Sequence, residues 1–458
     1  MTTSLRSHQI LHKLTYGGAI LRSLSNALGD SLSVADFGAK GDGVTDDSAA
    51  IQACITAAKA AGRSVLFPDG AYVIATLGTQ SGRLLLHGQG NATIKGTLTY
   101  EQTFPASADT DTPLTPAAPY FHANGLNFQA VGASAYGLVL LSPEQPGFTS
   151  SFDLRDCRFY GDKGLYARYQ TGFSLRECEF NNRVAGARFE SCANGSLLLC
   201  RFQNQVESGV RIVAADGNAY RSGGENIKFS MCEWAVCTHG MLVDQHDGLS
   251  MDNCLMVDCA IPLSLAGSDH AKASNSRFGA SQAPVARFAS VPGYLAPAVS
   301  GVAVYGRPGG TPVGQRAVGF SAHNCEFVNS GAGSSQPIVY VDGYVDATYQ
   351  LSGERVSFFD CLFLASVAHA SQRLLEIRAA RVATVIGCVF GSYNLSSSLA
   401  DAYRLYQCTH PIGHSNDFQN CVQSGVQVGS SSEKMLASVY VQATDPGFIG
   451  AGNIWVQP

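Results

Sequence analysis

The chain has 458 residues, and only 14% of them are charged, against the roughly 25% that is typical of globular domains. Its net charge of -5 argues against a nucleic-acid-binding protein, which usually carries a basic stripe. No apolar run approaches the ~18 residues of a membrane span, and the first residues lack the apolar core of a signal peptide. We therefore expect a protein that folds in a cytoplasm and does not insert into a membrane.

Residues 1–32 carry apolar side chains at helical spacing, as in SLRSHQILHKL and AILRSLSNALG. A short helix with one apolar stripe and little else to pack against is typical of an anchor or an oligomer contact. We predict a short N-terminal helical segment with that role.

Residues 33–75 combine a glycine-rich turn, a helix and the first strands. The turn DFGAKGDGVTDD leads to Asp46 or Asp47, either of which suits the N-cap of the alanine-rich helix that follows. This helix is predicted to end at Gly62, and SVLFPDGAYVI then begins the strands. The segment is expected to cover the open end of the next domain.

A cysteine followed two residues later by a large apolar side chain recurs along the chain. The pairs are Cys157/Phe159, Cys178/Phe180, Cys200/Phe202, Cys232/Trp234, Cys254/Met256, Cys325/Phe327, Cys361/Phe363 and Cys388/Phe390, and Ser276/Phe278 continues the series. A repeat of about 22 residues is one solenoid coil, and the Cys-x-Phe spacing is that of a strand with both side chains inside. Residues 76–425 are therefore predicted to form one parallel β-helix, with mostly reduced, buried cysteines.

Three stretches interrupt the repeat: 101–119, 214–226 and 279–317. They are rich in residues typical of loops, and long loops on a rigid scaffold are where binding specificity tends to lie. Residues 426–458 have alternating apolar residues and are predicted to form a C-terminal strand or trimerisation segment.

DFGAKGDGVTDD, the alanine-rich helix and LFPDGAYVI resemble the entry segment of the pectate-lyase-like, right-handed parallel β-helix superfamily, especially bacteriophage tailspike depolymerases. The resemblance implies an all-β, right-handed, single-stranded parallel β-helix with a short N-terminal helical cap that includes Asp42, Asp46 and Asp47. It also implies a homotrimeric virion spike that folds in the host cytoplasm and acts at the bacterial surface. There it binds and usually cleaves capsular polysaccharide, O-antigen or exopolysaccharide.

The chain departs from these relatives in two respects. The catalytic signatures of the polygalacturonase branch are absent from its coils, which argues against pectin hydrolysis by that apparatus. We also expect neither a large N-terminal docking domain nor a C-terminal β-sandwich. We therefore expect attachment to another phage tail or baseplate protein through the N-terminal segment.

Aligning the coils on their cysteines places a second strand in each coil, with outward side chains stacked in two columns. One column is predicted to contain Arg168, Arg188, Arg211 and Leu242, and its neighbour Gln170, Glu190, Val213 and Asp244. Stacked arginines repel one another unless an anion lies across them, so Arg168, Arg188 and Arg211 are predicted to bind an acidic glycan. Alternatively, they pair with nearby carboxylates on the surface.

Glu190 and Asp244 are predicted to lie two coils apart, which puts their backbones roughly 10 Å apart. Inverting glycosidases hold two carboxyl groups about 6.5–9.5 Å apart, so this pair is our first catalytic candidate. The alternative is two solvated surface carboxylates. The widened coil near 214–226 adds three reserve catalytic carboxylates: Glu207, Asp216 and Glu225. Tyr220, beside Arg221, is a candidate for stacking on a sugar ring. Alternatively, this loop contacts a neighbouring subunit.

His246 is a candidate for substrate binding or for the base of a β-elimination. His239 and His246 match no metal-binding pattern, and we predict neither a metal nor a cofactor. The alternating charges of Arg158, Glu179, Arg201 and Glu233 predict a structural salt-bridge ladder.

The sequence thus predicts a tailspike depolymerase that cleaves a bacterial surface polysaccharide, by endo-glycoside hydrolysis with two carboxylates. The alternatives are a polysaccharide lyase, a glycan-binding receptor spike without catalysis and a purely structural fibre.

Overall fold

The computed structural model describes residues 31–102, 120–143, 151–213, 224–244, 246–266, 270–281, 318–330, 337–342, 353–365, 373–378, 380–392, 401–406, 408 and 410–419, and short strands at 11–12, 22–23, 286–289, 294–295, 303–304, 426–428, 434–435, 439–441 and 454–456. Successive strands return to the same three faces and pair in parallel with the coil before. The predicted fold class, a right-handed parallel β-helix with a short N-terminal helical cap, is confirmed.

We name the three faces sheets A, B and C, in the order in which each coil visits them. Sheet A contains Ser31–Ser33, Ser64–Phe67, Leu84–Gly88, Tyr120–Asn124, Ser151–Arg155, Ser174–Arg176, Ser196–Leu198, Lys228–Ser230, Ser250–Asp252, Ala271–Ser274, Val318–His323, Gly353–Phe359, Ala380–Ile386, His410–His414 and Lys434–Met435.

Sheet B carries the cysteine-spaced aromatic residues. It contains Asp42–Asp46, Ala71–Val73, Thr93–Lys95, Asn127–Gln129, the first halves of Arg158–Arg168 and Glu179–Glu190, then Arg201–Gln203, Glu233–Ala235, Leu255–Cys259, Arg277–Ala280, Glu326–Asn329, Leu362–Ala365, Val389–Ser392, Asp417–Gln419, Val439–Val441 and Ile454–Val456.

Sheet C carries the predicted site. It contains Leu98–Glu101, Tyr136–Leu141, the second halves of Arg158–Arg168 and Glu179–Glu190, then Ser208–Val213, His239–Asp244, Ile261–Ala266, Ala286–Ala289, Val339–Asp342, Arg373–Arg378, Asp401–Tyr406 and Val426–Val428. A short three-stranded sheet beyond its end consists of Cys192–Ala193, Gly224–Glu225 and His246–Asp247.

The interior is built from the predicted cysteine and aromatic columns. The rings of Phe159, Phe180, Phe202 and Trp234 stack in register, with centroids 4.4, 4.7 and 5.3 Å apart. Every cysteine that the structure describes is a buried free thiol, as predicted. Cys178 Sγ, for example, donates to the carbonyl oxygen of Leu154 in the preceding coil at 3.6 Å. The repeated cysteine and aromatic side chains therefore form the packed interior of the β-helix.

A column of glycines marks the start of sheet C and lets neighbouring coils approach closely. It contains Gly164, Gly186, Gly209 and Gly240. A Cβ atom on Gly209 would lie 2.5 Å from Trp234 Cδ1 and 2.8 Å from the carbonyl oxygen of Gly240. Any side chain here would force two coils apart.

We expect Gly209→Ala to lower the free energy of unfolding by about 1–3 kcal/mol, because overpacking displaces the Trp234 ring and the next backbone. Denaturant unfolding followed by tryptophan fluorescence measures the change. Gly78→Ala is the matched control, since a Cβ atom there meets nothing within 4 Å. Equal stability of the two variants would contradict the close approach of the coils.

The N-terminal cap is the helix Ser48–Ala61, preceded by a short 3-10 helix, Val34–Phe37. Asp47 occupies the N-cap position, but its carboxylate accepts hydrogen bonds from the Lys40 and Gly41 amides instead. Asp46 Oδ1 accepts from the Ser48 amide at 3.1 Å and so caps the helix. The helix ends at Gly62, as predicted, with φ of 62°.

Two predicted segments differ from the structure. Leu11–His12 and Arg22–Ser23 pair as antiparallel strands where a helix was expected; Gly17 and Gly18, between them in sequence, disfavour a helix. The rest of residues 1–30 lies outside the described residues. Ala286–Ala289, inside the predicted 279–317 loop, continues sheet C.

The predicted C-terminal segment also continues the solenoid in the residues that are described. Val426–Val428 extends sheet C, and Val439–Val441 and Ile454–Val456 extend sheet B in parallel. The predicted boundary at residue 425 is therefore not a break in the ladder. Residues 103–119, most of the predicted 101–119 loop, lie outside the description.

The predicted salt-bridge ladder lies on the outer face of sheet B. Arg158 and Glu179 approach to 3.7 Å, and Arg201 and Glu233 to 3.0 Å. Arg277 and Glu326 repeat the pattern at 3.5 Å. These side chains are largely exposed, so each pair contributes about 0–1 kcal/mol at most.

Candidate active site

The site lies on the outer face of sheet C, where hydrogen-bonded register defines two columns. One column contains Val139, Tyr166, Arg188, Arg211, Leu242 and Ser264. The second contains Leu141, Arg168, Glu190 and Val213, and Asp244 follows one residue beyond the Ile212–Val243 pair.

The predicted register of Arg168 was wrong by two residues. Arg168 pairs with Glu190, and Tyr166 takes the place beside Arg188. Gln170, predicted to lie beside Glu190, is buried past the end of the strand, with 1% of its surface exposed. A shift of two residues keeps every side chain on the same face of a strand, so alternation alone does not reveal it.

Glu190 is an outward-facing carboxylate that is nevertheless only 4% exposed. Its Oε2 accepts a hydrogen bond from the Tyr166 hydroxyl, and its Oε1 accepts from Arg188 Nη2. Arg168 Nε lies 3.8 Å from Oε2. Two hydrogen bonds and a nearby guanidinium therefore hold the Glu190 carboxyl group in one position.

Glu207 directly precedes the strand Ser208–Val213 and is far more accessible than Glu190, with 42% of its side chain exposed. Its Oε1 accepts from Arg211 Nη1 at 2.9 Å. Tyr136 interacts with Arg188, Glu207 and Arg211, and its ring lies 5.4 Å from that of Tyr166. We call Tyr136, Tyr166, Arg168, Arg188, Glu190, Glu207 and Arg211 the Arg–Glu cluster.

The two tyrosines of the Arg–Glu cluster are hydrogen-bond donors at neutral pH. Burial raises the pKa of Tyr136, and the Arg188 guanidinium only partly offsets this effect. Burial, followed by the hydrogen bond to the Glu190 carboxylate, raises the pKa of Tyr166. Tyr166 therefore keeps its proton and continues to donate to Glu190.

Asp244 and Glu190 lie on either side of Val213 in the second column. Val213 is 7% exposed and Asp244 is partly buried. The two strands are two coils apart, which corresponds to backbones roughly 10 Å apart, as predicted. Two carboxyl groups therefore flank an apolar floor.

His246 does not belong to this face. It pairs with Gly224 in the short sheet beyond sheet C, is 0% exposed, and its Nε2 accepts from the Ile227 amide at 3.4 Å. The chain turns a corner after Asp244, which rotates the next side chains into the interior slot of Cys192. The predicted contact of His246 with substrate, and its role as a base, are incompatible with this burial.

Glu225 also lies beyond the corner. It is exposed on the short sheet, opposite Ala193 and Asp247 rather than on the face of the Arg–Glu cluster. Asp216, Tyr220 and Arg221 lie outside the described residues. Of the reserve carboxylates, the described structure therefore brings only Glu207 to the cluster.

The sequence analysis missed Tyr136, Tyr166 and a second buried carboxylate, Glu376. Tyr136 belongs to a coil whose sheet B strand carries Phe128 without a preceding cysteine, so the repeat did not reveal it. Glu376 lies in the column of Arg188, six coils further on, and is 1% exposed. Its Oε2 accepts from Arg373 Nη1 at 2.8 Å.

Within the described ranges, no group of three or more His, Cys, Asp or Glu side chains is placed to hold a metal ion. Among the same residues, no helix is long and apolar enough to cross a lipid bilayer.

Solved structures with the same fold include viral and bacterial proteins. A mutant of the tailspike protein of E. coli bacteriophage HK620 superposes with a TM-score of 0.56 and 10% identity, over 92% of this chain and 82% of that one. Tailspike protein 3 of bacteriophage CBA120 gives a TM-score of 0.54 and 12% identity, over 94% and 67%. The A-module of the mannuronan C-5 epimerase AlgE4 of Azotobacter vinelandii gives 0.51 and 14%, over 88% and 100%.

These similarities establish the fold, and they agree with the resemblance in residues 33–75. A search of the curated proteins finds no significant match. Residues 31–261, just over half of the chain, match the family described as rhamnogalacturonase A/epimerase, pectate lyase-like. This match spans the helical cap and all members of the Arg–Glu cluster. The chain therefore belongs to the rhamnogalacturonase A/epimerase, pectate lyase-like family.

Proposed function

We propose that this protein is a phage tailspike depolymerase that binds an acidic bacterial surface polysaccharide across the outer face of sheet C and cleaves it by endo-glycoside hydrolysis. The observation that carries the proposal is Glu190, an outward-facing carboxylate that is 4% exposed and held by Tyr166, Arg188 and Arg168. A surface built only for solubility does not need a buried charge with three partners. Tailspike proteins among the structures with this fold support the virion assignment.

The two carboxyl groups beside Val213 suit different roles. Glu190 is positioned by Tyr166, Arg188 and Arg168, and in this proposal its carboxylate takes a proton from an attacking water molecule. Two hydrogen bonds occupy part of the roughly four acceptor positions of its carboxylate, so water or a sugar hydroxyl has an acceptor to use. Asp244 follows the buried Leu242 and lies next to Val213. The second carboxyl group of an inverting glycosidase donates a proton to the leaving oxygen, and Asp244 is the candidate for that role.

The arginines account for an acidic substrate. Arg188 and Arg211 each engage one carboxylate, yet 28% and 25% of their side chains remain exposed. Guanidinium groups bind carboxylates in a planar, two-pronged manner. An acidic sugar above Glu190 and Val213 would therefore meet Arg188 and Arg211 in the neighbouring column and Arg168 in the coil before Glu190.

A second candidate is a lyase or epimerase that removes a proton from a uronate. Tyr136, Arg188, Arg211 and Glu207 favour it, because guanidinium groups beside a sugar carboxylate stabilise the charge that develops in that reaction. A mannuronan epimerase also shares the fold.

One assay separates these chemistries. The purified protein is incubated with capsular, O-antigen and exopolysaccharides, and reducing ends are followed together with the ultraviolet absorbance of unsaturated uronates. We expect new reducing ends without absorbance. A parallel rise of both signals would establish a lyase, and a changed uronate configuration with neither signal would establish an epimerase. Binding without any of these changes would establish a receptor spike and contradict the catalytic proposal.

We further propose that the spike is a homotrimer that attaches to another tail or baseplate protein through residues 1–32. Tailspikes with this fold support the assembly state. Sedimentation equilibrium of the full chain tests it, with an expected mass of three 48.2 kDa subunits. A monomer at micromolar concentration would contradict it.

A further inference from the structure

A groove of about 680 Å³ crosses sheet A, on a different face of the solenoid from the Arg–Glu cluster. Its walls come from four successive coils, with strands Ala271–Ser274, Val318–His323, Gly353–Phe359 and Ala380–Ile386. Small-molecule and sugar sites are usually concave, with volumes of about 300–1,000 Å³. The size of the groove fits a short stretch of glycan.

The floor of the groove is a column of hydroxyl groups. Ser321, Ser357 and Thr384 stack in hydrogen-bonded register, and Lys272 precedes them in the same column. Ser357 and Thr384 face outward but are only 5% and 8% exposed, so they lie at the bottom of the groove. Hydroxyl groups at the spacing of the coils present alternating donors and acceptors to a polar chain.

Two cations border this hydroxyl floor. Lys272 and Arg355 both line the groove and are exposed. Within the described part of the chain, neither forms an ion pair, in contrast to the paired arginines of sheet B and the Arg–Glu cluster. Two cations beside one groove favour an anionic ligand, and Arg355 suits a carboxylate.

The opposite wall is aromatic. Phe359 lines the groove, and its ring stacks on His323 with centroids 4.7 Å apart. His323 Nε2 lies 2.8 Å from Ser321 Oγ, which ties the wall to the floor. Arg355 and the Phe359 ring lie on either side of Ser357 along one strand, so the groove distinguishes the two sides of a bound sugar.

We propose that this groove, which we call the sheet A groove, is a second, non-catalytic binding site for uronate-containing oligosaccharides. The sugar carboxylates pair with Lys272 and Arg355, the sugar hydroxyls bond to Ser357 and Thr384, and a ring face packs on Phe359. The site lacks an acidic pair within the described residues that line it, so it holds the chain without cutting it. It would keep a long polymer on the protein between cleavage events at the Arg–Glu cluster.

Isothermal titration with tetragalacturonate and with a mannuronate tetramer tests the proposal, and maltotetraose serves as the neutral probe. The Glu190→Gln protein prevents cleavage during the experiment. We expect two classes of site per chain for an acidic probe. Combining Lys272→Ala with Arg355→Ala should remove one class or weaken it at least tenfold, and leave the affinity of the other class unchanged.

Lys228→Ala is the matched control, because Lys228 is an exposed cation of sheet A outside the groove. Its affinities and site number should equal those of the parent. Unchanged binding in the Lys272→Ala/Arg355→Ala variant, or equal binding of maltotetraose at this class of site, would overturn the proposal. This test does not depend on catalysis at Glu190. The class of binding site that depends on Lys272 and Arg355 is detected by titration, whether or not the protein cleaves the polysaccharide.

Discussion

Replacing Glu190 with glutamine is expected to reduce polysaccharide cleavage by about 10²–10⁴-fold, the range that general acid–base groups contribute. Glutamine keeps the shape of the side chain but does not accept a proton from water. Binding of the polysaccharide should change by less than about tenfold, because Arg168, Arg188 and Arg211 remain. Reducing-end assays at saturating substrate and a separate binding measurement on the same protein give the two numbers.

Three further variants test whether the loss of cleavage is specific to the Glu190 carboxylate. Tyr166→Phe removes one hydrogen bond to Glu190 and keeps the carboxylate, so a loss of only about tenfold is expected. Asp244→Asn should resemble Glu190→Gln if the two carboxyl groups act as a pair. Glu233→Gln removes a carboxylate from the sheet B ladder and should leave cleavage unchanged. A Glu190→Gln enzyme with more than a tenth of the parental cleavage rate would contradict the assignment of Glu190 as the catalytic base.

Glu376 offers a defined alternative in that event. It is the other buried carboxylate found on the outer face of sheet C among the described residues, and Arg373 holds it as Arg188 holds Glu190. It lies six coils, or roughly 30 Å, along the solenoid. Loss of cleavage in Glu376→Gln but not in Glu190→Gln would move the catalytic site to that end.

Truncation of Phe180 to alanine is expected to lower the free energy of unfolding by about 3–5 kcal/mol. Phe180 is 0% exposed and stacks between Phe159 and Phe202, so its removal opens a cavity that touches two neighbouring coils. In a solenoid, each coil is stabilised mainly by its neighbours, so the loss falls on this region. Trp234, stacked on Phe202, reports the transition by fluorescence during guanidinium unfolding.

Val206→Ala is the control for Phe180→Ala. Val206 is 65% exposed, and its truncation should change stability by no more than about 0.5 kcal/mol. A loss below about 1 kcal/mol for Phe180→Ala would mean that the aromatic column does not hold the coils together.

The fold was predictable because a motif that repeats along the sequence identifies it. Cys-x-Phe pairs identify the interior strand of each coil, and the structure places Phe159, Phe180, Phe202 and Trp234 in one stack as a result. The salt-bridge ladder of sheet B followed from the same alignment, since Arg201 and Glu233 each come directly after a cysteine.

The candidate site was only partly predictable, because it lies one strand further from the cysteines. The predicted pairing of Arg168 with Arg188 in sheet C was wrong by two residues. A shift of two residues keeps both side chains on the same face, so alternation did not reveal the error. Gly164 and Gly186 carry the missing information: aligning them places Tyr166 beside Arg188 and Arg168 beside Glu190. The burial of His246 depends on the corner after Asp244, which strand alternation does not describe.

The sheet A groove had no signature in the sequence. Ser321, Ser357 and Thr384 are separated by long, unequal intervals, and small polar residues are common on exposed strands. Only the stacking of coils places the three hydroxyl groups in one column and brings Lys272 and Arg355 to its border.

The most direct measurement is a crystal structure of the Glu190→Gln protein with an oligosaccharide prepared from a polysaccharide that it binds. We predict a sugar ring over Val213, with the scissile oxygen near Asp244 and sugar carboxylates on Arg188 or Arg211. A glycan bound only elsewhere on the molecule, with the face of the Arg–Glu cluster empty, would contradict the proposed active site.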